Sequence, residues 1–327
     1  MSMHPWNEPI LDSLRRRLAT LPHALLLHGP KGVGKLALAE QAAQMVVCET
    51  KGDKRPCGQC EGCRWFAAGN HPDFRRVEPE ALAAQMAQPE EGAEPAADAP
   101  PARKGKPSLE IKVDQVRQLA DFLNVNSHRG GRRVALVHPA EEMNANASNA
   151  LLKALEEPPS GAMFILVSHR PARLLPTIRS RCVAVPVPVP SRDVANRWLS
   201  TQKLSDAARW LAYAGGAPLL ALQYAESAAD IERLLAQVRA GAQVMVDDRP
   251  QLEALAEALQ KYALDRAMTA FGAGELFATG GSRGRPESGR AWLAFAREMG
   301  PNRALARHPL NPRLFAAAML AAMPKDT

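Results

Sequence analysis

The chain has 327 residues with 46% hydrophobic and 5% aromatic side chains, and its 41 basic and 34 acidic residues give a formal net charge of +7. This length is typical of two or three domains, and the net charge permits contact with a polyanion without requiring it. No apolar run approaches the roughly 20 residues of a transmembrane helix, which argues against a membrane-spanning protein and a membrane partner. Because Met1–Asn7 shows no basic region followed by an apolar stretch, we expect no secretory signal and a cytoplasmic location.

The first part of the chain alternates short apolar runs with helical patterns. The predicted strands are residues 24–28, Phe74–Val77, Val134–Val137 and Phe164–Ser168, and the predicted helices are Leu36–Val47, Val113–Leu123 and Ala147–Glu157. Phe74–Val77 is the weaker strand candidate, since Arg75 and Arg76 interrupt it. Strands that alternate with helices in this way predict an α/β domain built on a parallel sheet.

Composition changes divide the rest of the chain. Glu80–Lys106 is rich in Ala, Pro, Glu and Gln and lacks apolar periodicity, which predicts a disordered surface insertion. The three prolines of Val183–Pro190 indicate an extended edge segment at a domain exit, and the pattern is helical from there on. We therefore predict an α/β domain over residues 1–188, then helical regions over 189–228 and 229–327.

A glycine-rich turn follows the first predicted strand. Residues 29–36 (GPKGVGKL) match the phosphate-loop pattern G-x-x-x-x-G-K, in which backbone N–H groups and a helix N-terminus cradle phosphates. The candidate nucleotide-binding residues are Gly29, Gly32, Gly34 and Lys35. The next position normally supplies a hydroxyl to Mg²⁺, and Leu36 has none. The sequence therefore predicts a remnant loop that leaves ATP binding open and supports no hydrolysis.

The acidic residues of an ATPase are also missing from their usual place. A working enzyme needs an Asp for the metal and a Glu for the attacking water at the end of a later strand. Directly after Val134–Val137 these positions are His138 and Pro139. Glu141 and Glu142 come a few residues later, where carboxylates that stabilise a helix start are the favoured interpretation. Their use as substitute catalytic carboxylates, in an autonomous ATPase, stays open as the alternative.

Four of the five cysteines form a compact pattern. Cys48, Cys57, Cys60 and Cys63 have the spacing C-x8-C-x2-C-x2-C, which is typical of a closed structural zinc site with four thiolates. An iron–sulfur cluster is the rival interpretation, but the usual fourth Cys followed by Pro is absent. A zinc-dependent DNA-binding module is the corresponding alternative function. Cys182 lies too far along the chain to be assigned as a ligand.

Two further motifs resemble a known family. Residues 149–159 (NALLKALEEPP) and 180–182 (SRC) are similar to signatures of the clamp-loader subunits of the AAA+ family. An intact S-R-C beside broken ATPase motifs resembles the δ′ branch of bacterial DNA polymerase III clamp loaders, not the active γ/τ motor. The resemblance implies an AAA+ P-loop (RecA-like) domain with a zinc module over residues 48–63, a helical lid and a helical collar for oligomerisation.

The same resemblance implies a role for particular residues and partners. Arg181 of S-R-C corresponds to an arginine finger that acts on the ATP of a neighbouring subunit, and Leu219 stands where active members carry an Arg for their own nucleotide. The implied protein is a non-hydrolysing subunit of a hetero-pentamer with γ/τ and δ. That complex loads the sliding clamp on primed DNA within the DNA polymerase III holoenzyme.

Overall fold

The computed structural model describes residues 3–324 except 53, 87–106, 126, 128–130, 243, 281–285, 307 and 309, with residues 85 and 86 described by backbone alone. The chain forms two units, Met1–Val189 and Pro190–Thr327. The further division at residue 228 stays a prediction.

The first unit contains five strands among seven helices in its described residues. The strands are β1 Ala24–His28, β2 Phe74–Val77, β3 Arg133–Val137, β4 Ala162–Ser168 and β5 Val183–Pro186, and the helices are α1 Glu8–Arg16, α2 Lys35–Val47, α3 Glu61–Ala67, α4 Glu80–Met86, α5 Val113–Asn124, α6 Ala145–Glu156 and α7 Pro176–Arg181. The strands lie in the order β2-β3-β4-β1-β5 and every pair is parallel. The predicted α/β fold on a parallel sheet is confirmed by this topology.

The burial of the strands explains why some of them have clearer sequence patterns than others. Every residue of β3 and β4 is buried, as expected for inner strands of a parallel sheet with helices on both faces. The weaker candidate β2 is an edge strand, where side chains can reach the surface. Arg76 there lies 2.9 Å from Glu40 and 3.2 Å from Glu78. An edge position therefore accounts for charged residues within this strand.

The sheet brings its functional segments to one edge. Parallel strands share the direction of their carboxyl ends, and ligands of open α/β sheets bind outside those ends. The turn after β1, the residues after β3 and the end of β4 therefore lie at the same edge. The pairing of β1 with β4 on one side and with the edge strand β5 on the other places the glycine-rich turn between the ends of these two strands.

The predicted insertion over residues 80–106 is wrong at its start. Glu80–Met86 form the helix α4, whose first residue accepts a hydrogen bond from Ser108 N at 3.1 Å and pairs with Lys112 Nζ at 2.9 Å. An acidic residue at a helix start is favoured by the helix dipole, and these contacts fix that start. Residues 87–106, the rest of the predicted insertion, lie outside the described residues.

The second unit is helical throughout its described residues. Its helices are α8 Arg192–Thr201, α9 Ala207–Tyr213, α10 Pro218–Glu226, α11 Ala228–Arg239, α12 Arg249–Ala270, α13 Gly289–Leu305 and α14 Pro312–Ala321. The longest, α12, buries its apolar stripe from Leu252 to Ala267 against Trp292 and Phe295 of α13. No helix in the described part of the chain combines the length and apolarity needed to cross a membrane.

Candidate functional site

The turn between β1 and α2 has the backbone of a phosphate loop. Gly29, Gly32 and Gly34 all have positive φ, at 150°, 81° and 80°. A Cβ on Gly29 would lie 2.1 Å from the carbonyl oxygen of Val187, and one on Gly34 would lie 2.4 Å from a ring carbon of His4. Glycine is therefore required at these two positions both by backbone conformation and by close packing.

Lys35 is turned onto its own loop. Its side chain is 2% exposed, and its Nζ donates hydrogen bonds to the carbonyl oxygens of Gly29, at 2.8 Å, and Pro30. Burial lowers the pKa of Lys35 to about 8, while the nearby carboxylate of Glu141 acts in the opposite direction. The ammonium that would reach a bound phosphate thus has backbone acceptors within the loop.

N-terminal residues that the sequence did not single out also hold this loop. Trp6 Nε1 donates to the carbonyl oxygen of Val33 at 3.0 Å. The Asn7 side-chain amide donates to the carbonyls of Val33 at 2.9 Å and Gly34 at 3.3 Å. Asn7 is 1% exposed, so these bonds replace water on loop carbonyls. No sequence motif identifies Trp6 or Asn7, because their contacts with the loop arise only when the N-terminal segment packs against it in the fold.

The residues after β3 supply no carboxylate at the position directly following the strand. His138 is buried there, and its ring meets that of His169 edge-on at 5.3 Å. Burial, together with the positive charges of Lys35, Arg76 and Lys31, lowers the pKa of His138 to about 4. A neutral imidazole is a poor replacement for the aspartate that P-loop ATPases place near Mg²⁺.

The two later glutamates are tied to the end of β4. Glu141 accepts a hydrogen bond from the backbone N–H of His169 at 2.9 Å, and Glu142 lies 3.4 Å from the guanidinium of Arg170. Both contacts connect the short turn Ala140–Glu142 to the segment after Ser168. The carboxylate of Glu141 nonetheless offsets part of the lowering of the Lys35 pKa, so Glu141 belongs to the neighbourhood of the remnant loop.

The structure brings the four predicted metal ligands together. The sulfur atoms of Cys48, Cys57, Cys60 and Cys63 all lie within 4.8 Å of one another. The Cys48–Cys60 and Cys57–Cys63 sulfur separations are both 3.9 Å. Zinc–sulfur bonds of about 2.3 Å in a tetrahedron place sulfur atoms roughly 3.8 Å apart. The cluster therefore fits one tetrahedral ion, and it leaves no room for a multi-iron cluster between the sulfurs.

Local backbone shapes this thiol cluster. Cys48 caps the end of α2 and Cys60 caps the start of α3, where its sulfur accepts from Cys63 N. A hydrogen bond from the Thr50 side chain, with others from the N–H groups of Gln59 and Cys60, lowers the pKa of Cys57 to about 5. Such donors stabilise thiolates, the form that binds metal. The helix that begins at the phosphate loop thus ends at the thiol cluster.

Arg181 and Cys182 occupy different environments. Arg181 is the last residue of α7, its side chain is 35% exposed, and its Nη2 lies 2.7 Å from Glu156 Oε1. Cys182 is half-buried, and burial raises the pKa of its thiol to about 11. Leu219, where active relatives were expected to carry an Arg, lies in α10 of the second unit.

The chain is similar in sequence to delta′ subunits of DNA polymerase III. The chain is 40% identical over 223 residues to DNA polymerase III subunit delta′ of Pseudomonas aeruginosa, a match that covers 67% of this chain and 60% of that relative. It is 36% identical over 204 residues to the delta′ subunit of Yersinia pestis, covering 62% of this chain and 53% of the relative. These matches thus span between about half and three fifths of the relatives' length.

More distant similarity extends to other subunits. DNA polymerase III subunit tau of Escherichia coli is 30% identical over 179 residues, which cover 54% of this chain and 24% of tau. A solved gamma subunit-related protein from Thermotoga maritima aligns with 95% of this chain and 97% of its own, at 20% identity and a TM-score of 0.43. The family model for "DNA polymerase III, delta subunit" matches residues 6–190. The chain therefore belongs to the DNA polymerase III delta subunit family, and several of its relatives are delta′ subunits.

Proposed function

We propose that this protein is a non-hydrolysing delta′ subunit of the cytoplasmic DNA polymerase III clamp loader. In this role it joins γ/τ and δ subunits, completes an ATPase site on a γ/τ neighbour with Arg181, and helps load the sliding clamp on primed DNA. The proposal rests on a difference between two sets of residues, those that would serve a nucleotide of this chain and the one that would serve a nucleotide of a neighbour. The groups that would hold Mg²⁺ in this chain are replaced, while the arginine that would serve another chain is present and accessible.

Loss of hydrolysis follows from the chemistry of phosphoryl transfer. The metal ion in P-loop enzymes bridges the phosphates and neutralises charge that develops in the transition state. Leu36 offers no oxygen to that ion, and His138 stands in place of its carboxylate partner. Lys35, the remaining cation, already donates to Gly29 O and Pro30 O. A bound triphosphate would have to displace these bonds without the metal that normally compensates.

The trans role of Arg181 has an equally direct basis. A guanidinium aimed at a γ-phosphate stabilises the charge on the transferring group, and such arginine fingers raise rates by about 10³–10⁵. Arg181 ends a short helix at the surface, and its side chain is 35% exposed. A side chain with this exposure can reach a phosphate held by an adjacent subunit without rearrangement of the core.

The thiol cluster supports a structural zinc ion as the cofactor. Cys48, Cys57, Cys60 and Cys63 would hold it, and a site closed by four thiolates leaves no position for a substrate. An ion held by these four residues would tie the end of α2 to α3. The ion would therefore stabilise the fold next to the remnant phosphate loop and take no part in hydrolysis.

The test uses a loader reconstituted from this chain with γ/τ and δ subunits. We expect Arg181→Ala to lower its DNA-stimulated ATPase rate by at least tenfold, because one transition-state cation is lost. Arg179→Ala is the matched control, because Arg179 lies on the same helix, is exposed, and forms no ion pair with the described residues. Equal rates for the Arg181 variant and wild type, or no complex with the partner subunits, would contradict the proposal.

Autonomous ATP hydrolysis is the second candidate, because the negative charge of Glu141 acts on Lys35 of the remnant loop and offsets part of the lowering of its pKa. If Glu141 activates water, the isolated chain hydrolyses ATP and Glu141→Gln abolishes the activity. Under the preferred proposal the isolated chain shows no turnover above that of Lys35→Ala. Steady-state ATPase measurements on the purified chain and both variants separate the two functions.

A further inference from the structure

Glu156 and Arg181 form an ion pair between the two family motifs. Glu156 is the last residue of α6 and Arg181 the last of α7, and the pair is 2.7 Å apart at the closest nitrogen and oxygen. Leu155 of α6 and Ile178 of α7, both buried, belong to the same apolar cluster. The helix ends are thus held in position by the core, and only the two polar side chains are free to change partners.

The position of Glu156 at the end of α6 is unfavourable for a carboxylate. The C-terminal end of a helix carries partial negative charge, which disfavours acidic side chains in the last turn. Glu156 ends α6, Glu157 follows it, and Pro158 prevents the helix from continuing. Cations near this helix end offset the repulsion: Lys153 stands in the last turn of α6, and Arg181 lies in direct contact with Glu156.

Arg181 is also held along its own helix. Its Nη1 donates to the carbonyl oxygen of Thr177 at 3.0 Å and to Ser180 Oγ at 3.4 Å. Together with the Glu156 contact, these bonds engage both terminal nitrogens of the guanidinium within this chain. Because both N–H groups of Nη1 are already engaged, a phosphate of a neighbouring subunit can accept from both terminal nitrogens at once only if some of these bonds are given up.

We propose that Glu156 is a positioning residue that retains Arg181 on the edge formed by α6 and α7 and releases it to the γ-phosphate of a neighbouring subunit. The inference rests on the proposed function of Arg181. The pair is partly exposed, and exposed ion pairs hold their partners by factors of only about 1.4 to fivefold in equilibrium constant. A triphosphate offers more negative charge than one carboxylate and accepts bidentate hydrogen bonds from arginine. Transfer of Arg181 to the triphosphate is therefore favourable, and it is reversible once the γ-phosphate leaves.

The test compares Glu156→Gln with Glu157→Gln in the loader reconstituted with γ/τ and δ. Both changes remove the same charge one residue apart, and Glu157 is an exposed residue for which the described structure gives no ion pair. We expect Glu156→Gln to lower the ATP concentration at half-maximal rate by about 1.4- to fivefold, because Arg181 is then bound to its own chain in a smaller fraction of the molecules. The maximal rate stays within about twofold, because the transition-state contact of Arg181 is unchanged.

A double-variant cycle distinguishes this inference from the function on which it rests. Glu156→Gln should have no effect on half-saturation when Arg181→Ala is also present. Suppose that Arg181→Ala lowers the rate, but Glu156→Gln behaves like Glu157→Gln or has the same effect in the Arg181→Ala background. Glu156 then does not retain Arg181, while Arg181 still acts as the arginine finger. If Glu156→Gln lowers the maximal rate as Arg181→Ala does, Glu156 assists the finger and the proposed release is overturned. If Arg181→Ala has no effect, the proposed function itself fails.

Discussion

The ammonium group of Lys35 donates a hydrogen bond to the carbonyl oxygen of Gly29, 2.8 Å away at the opposite end of the same loop. In an active P-loop enzyme this lysine binds the outer phosphates of the nucleotide. Here the loop itself supplies acceptors for the lysine, and Asn7 satisfies carbonyls of Val33 and Gly34 from outside. The turn therefore has internal hydrogen-bond partners that make it a stable structural element of the first unit.

Gly29→Ala should destabilise the protein strongly. The new Cβ would lie 2.1 Å from Val187 O, and the φ of 150° is a conformation that L-residues rarely adopt. Backbone strain and overpacking together predict a loss of about 2–5 kcal/mol in the free energy of unfolding. Gly274→Ala is the control, because a Cβ there meets nothing within 4 Å and its φ is unexceptional. Urea denaturation of both variants checks this, and equal midpoints would contradict the close approach.

Lys35→Met should remove a pH-dependent part of the stability. The pKa of Lys35 is lowered from 10.5 to about 8 in the fold, so between those values the unfolded chain binds more protons than the folded one. The free energy of unfolding then rises with pH in that window, by at most about 1.4 kcal/mol per pH unit from this group. Denaturation of wild type and Lys35→Met from pH 7.5 to 10 measures the difference. The free energy of unfolding of wild type should rise relative to that of the variant as pH rises. If the two free energies changed with pH in parallel, the pKa of Lys35 would not be lowered.

Cys60→Ser should abolish zinc binding, while Cys182→Ser should leave it unchanged. Loss of one thiolate opens the four-sulfur cluster, whereas Cys182 lies outside it. Structural zinc sites contribute their binding free energy to folding, so the Cys60 variant and chelator-treated wild type should both unfold at lower temperature. Elemental analysis of the purified proteins gives the metal content. Zinc retained by Cys60→Ser, or lost equally by Cys182→Ser, would contradict the ligand assignment.

Asp265→Ala should destabilise the second unit. Asp265 is 0% exposed, and its carboxylate accepts hydrogen bonds from the backbone N–H groups of Leu276, Phe277 and Thr279 and from the Thr279 hydroxyl. Removing a buried acceptor with several donors costs about 3–5 kcal/mol. The control Asp230→Ala removes an exposed ion pair with Arg233 and should change stability by less than about 1 kcal/mol. Thermal unfolding followed by circular dichroism compares the two, and similar midpoints would show that the 276–279 loop does not depend on Asp265.

Short-range patterns were enough to predict much of this molecule. The glycine loop, the thiol cluster and the fully buried strand β4 each depend on residues close in sequence, so their spacing carries the signal. The prediction was wrong for Glu80–Met86, which forms a helix. Its Ala-rich composition fits a helix as well as it fits a polar loop, and the contacts that fix the helix start come from Ser108 and Lys112, more than 20 residues away.

The sequence by itself determined the parallel α/β class, the missing magnesium oxygen at Leu36, and the set of four cysteines, because each follows from side-chain chemistry at fixed local spacing. Only the tertiary structure decided that Lys35 bonds its own loop, that Asn7 supports that loop, and that Glu156 pairs with Arg181. The last two relationships join residues about 25 apart in sequence. Their geometry comes from how helices pack on the sheet, and no local periodicity encodes which polar groups then meet.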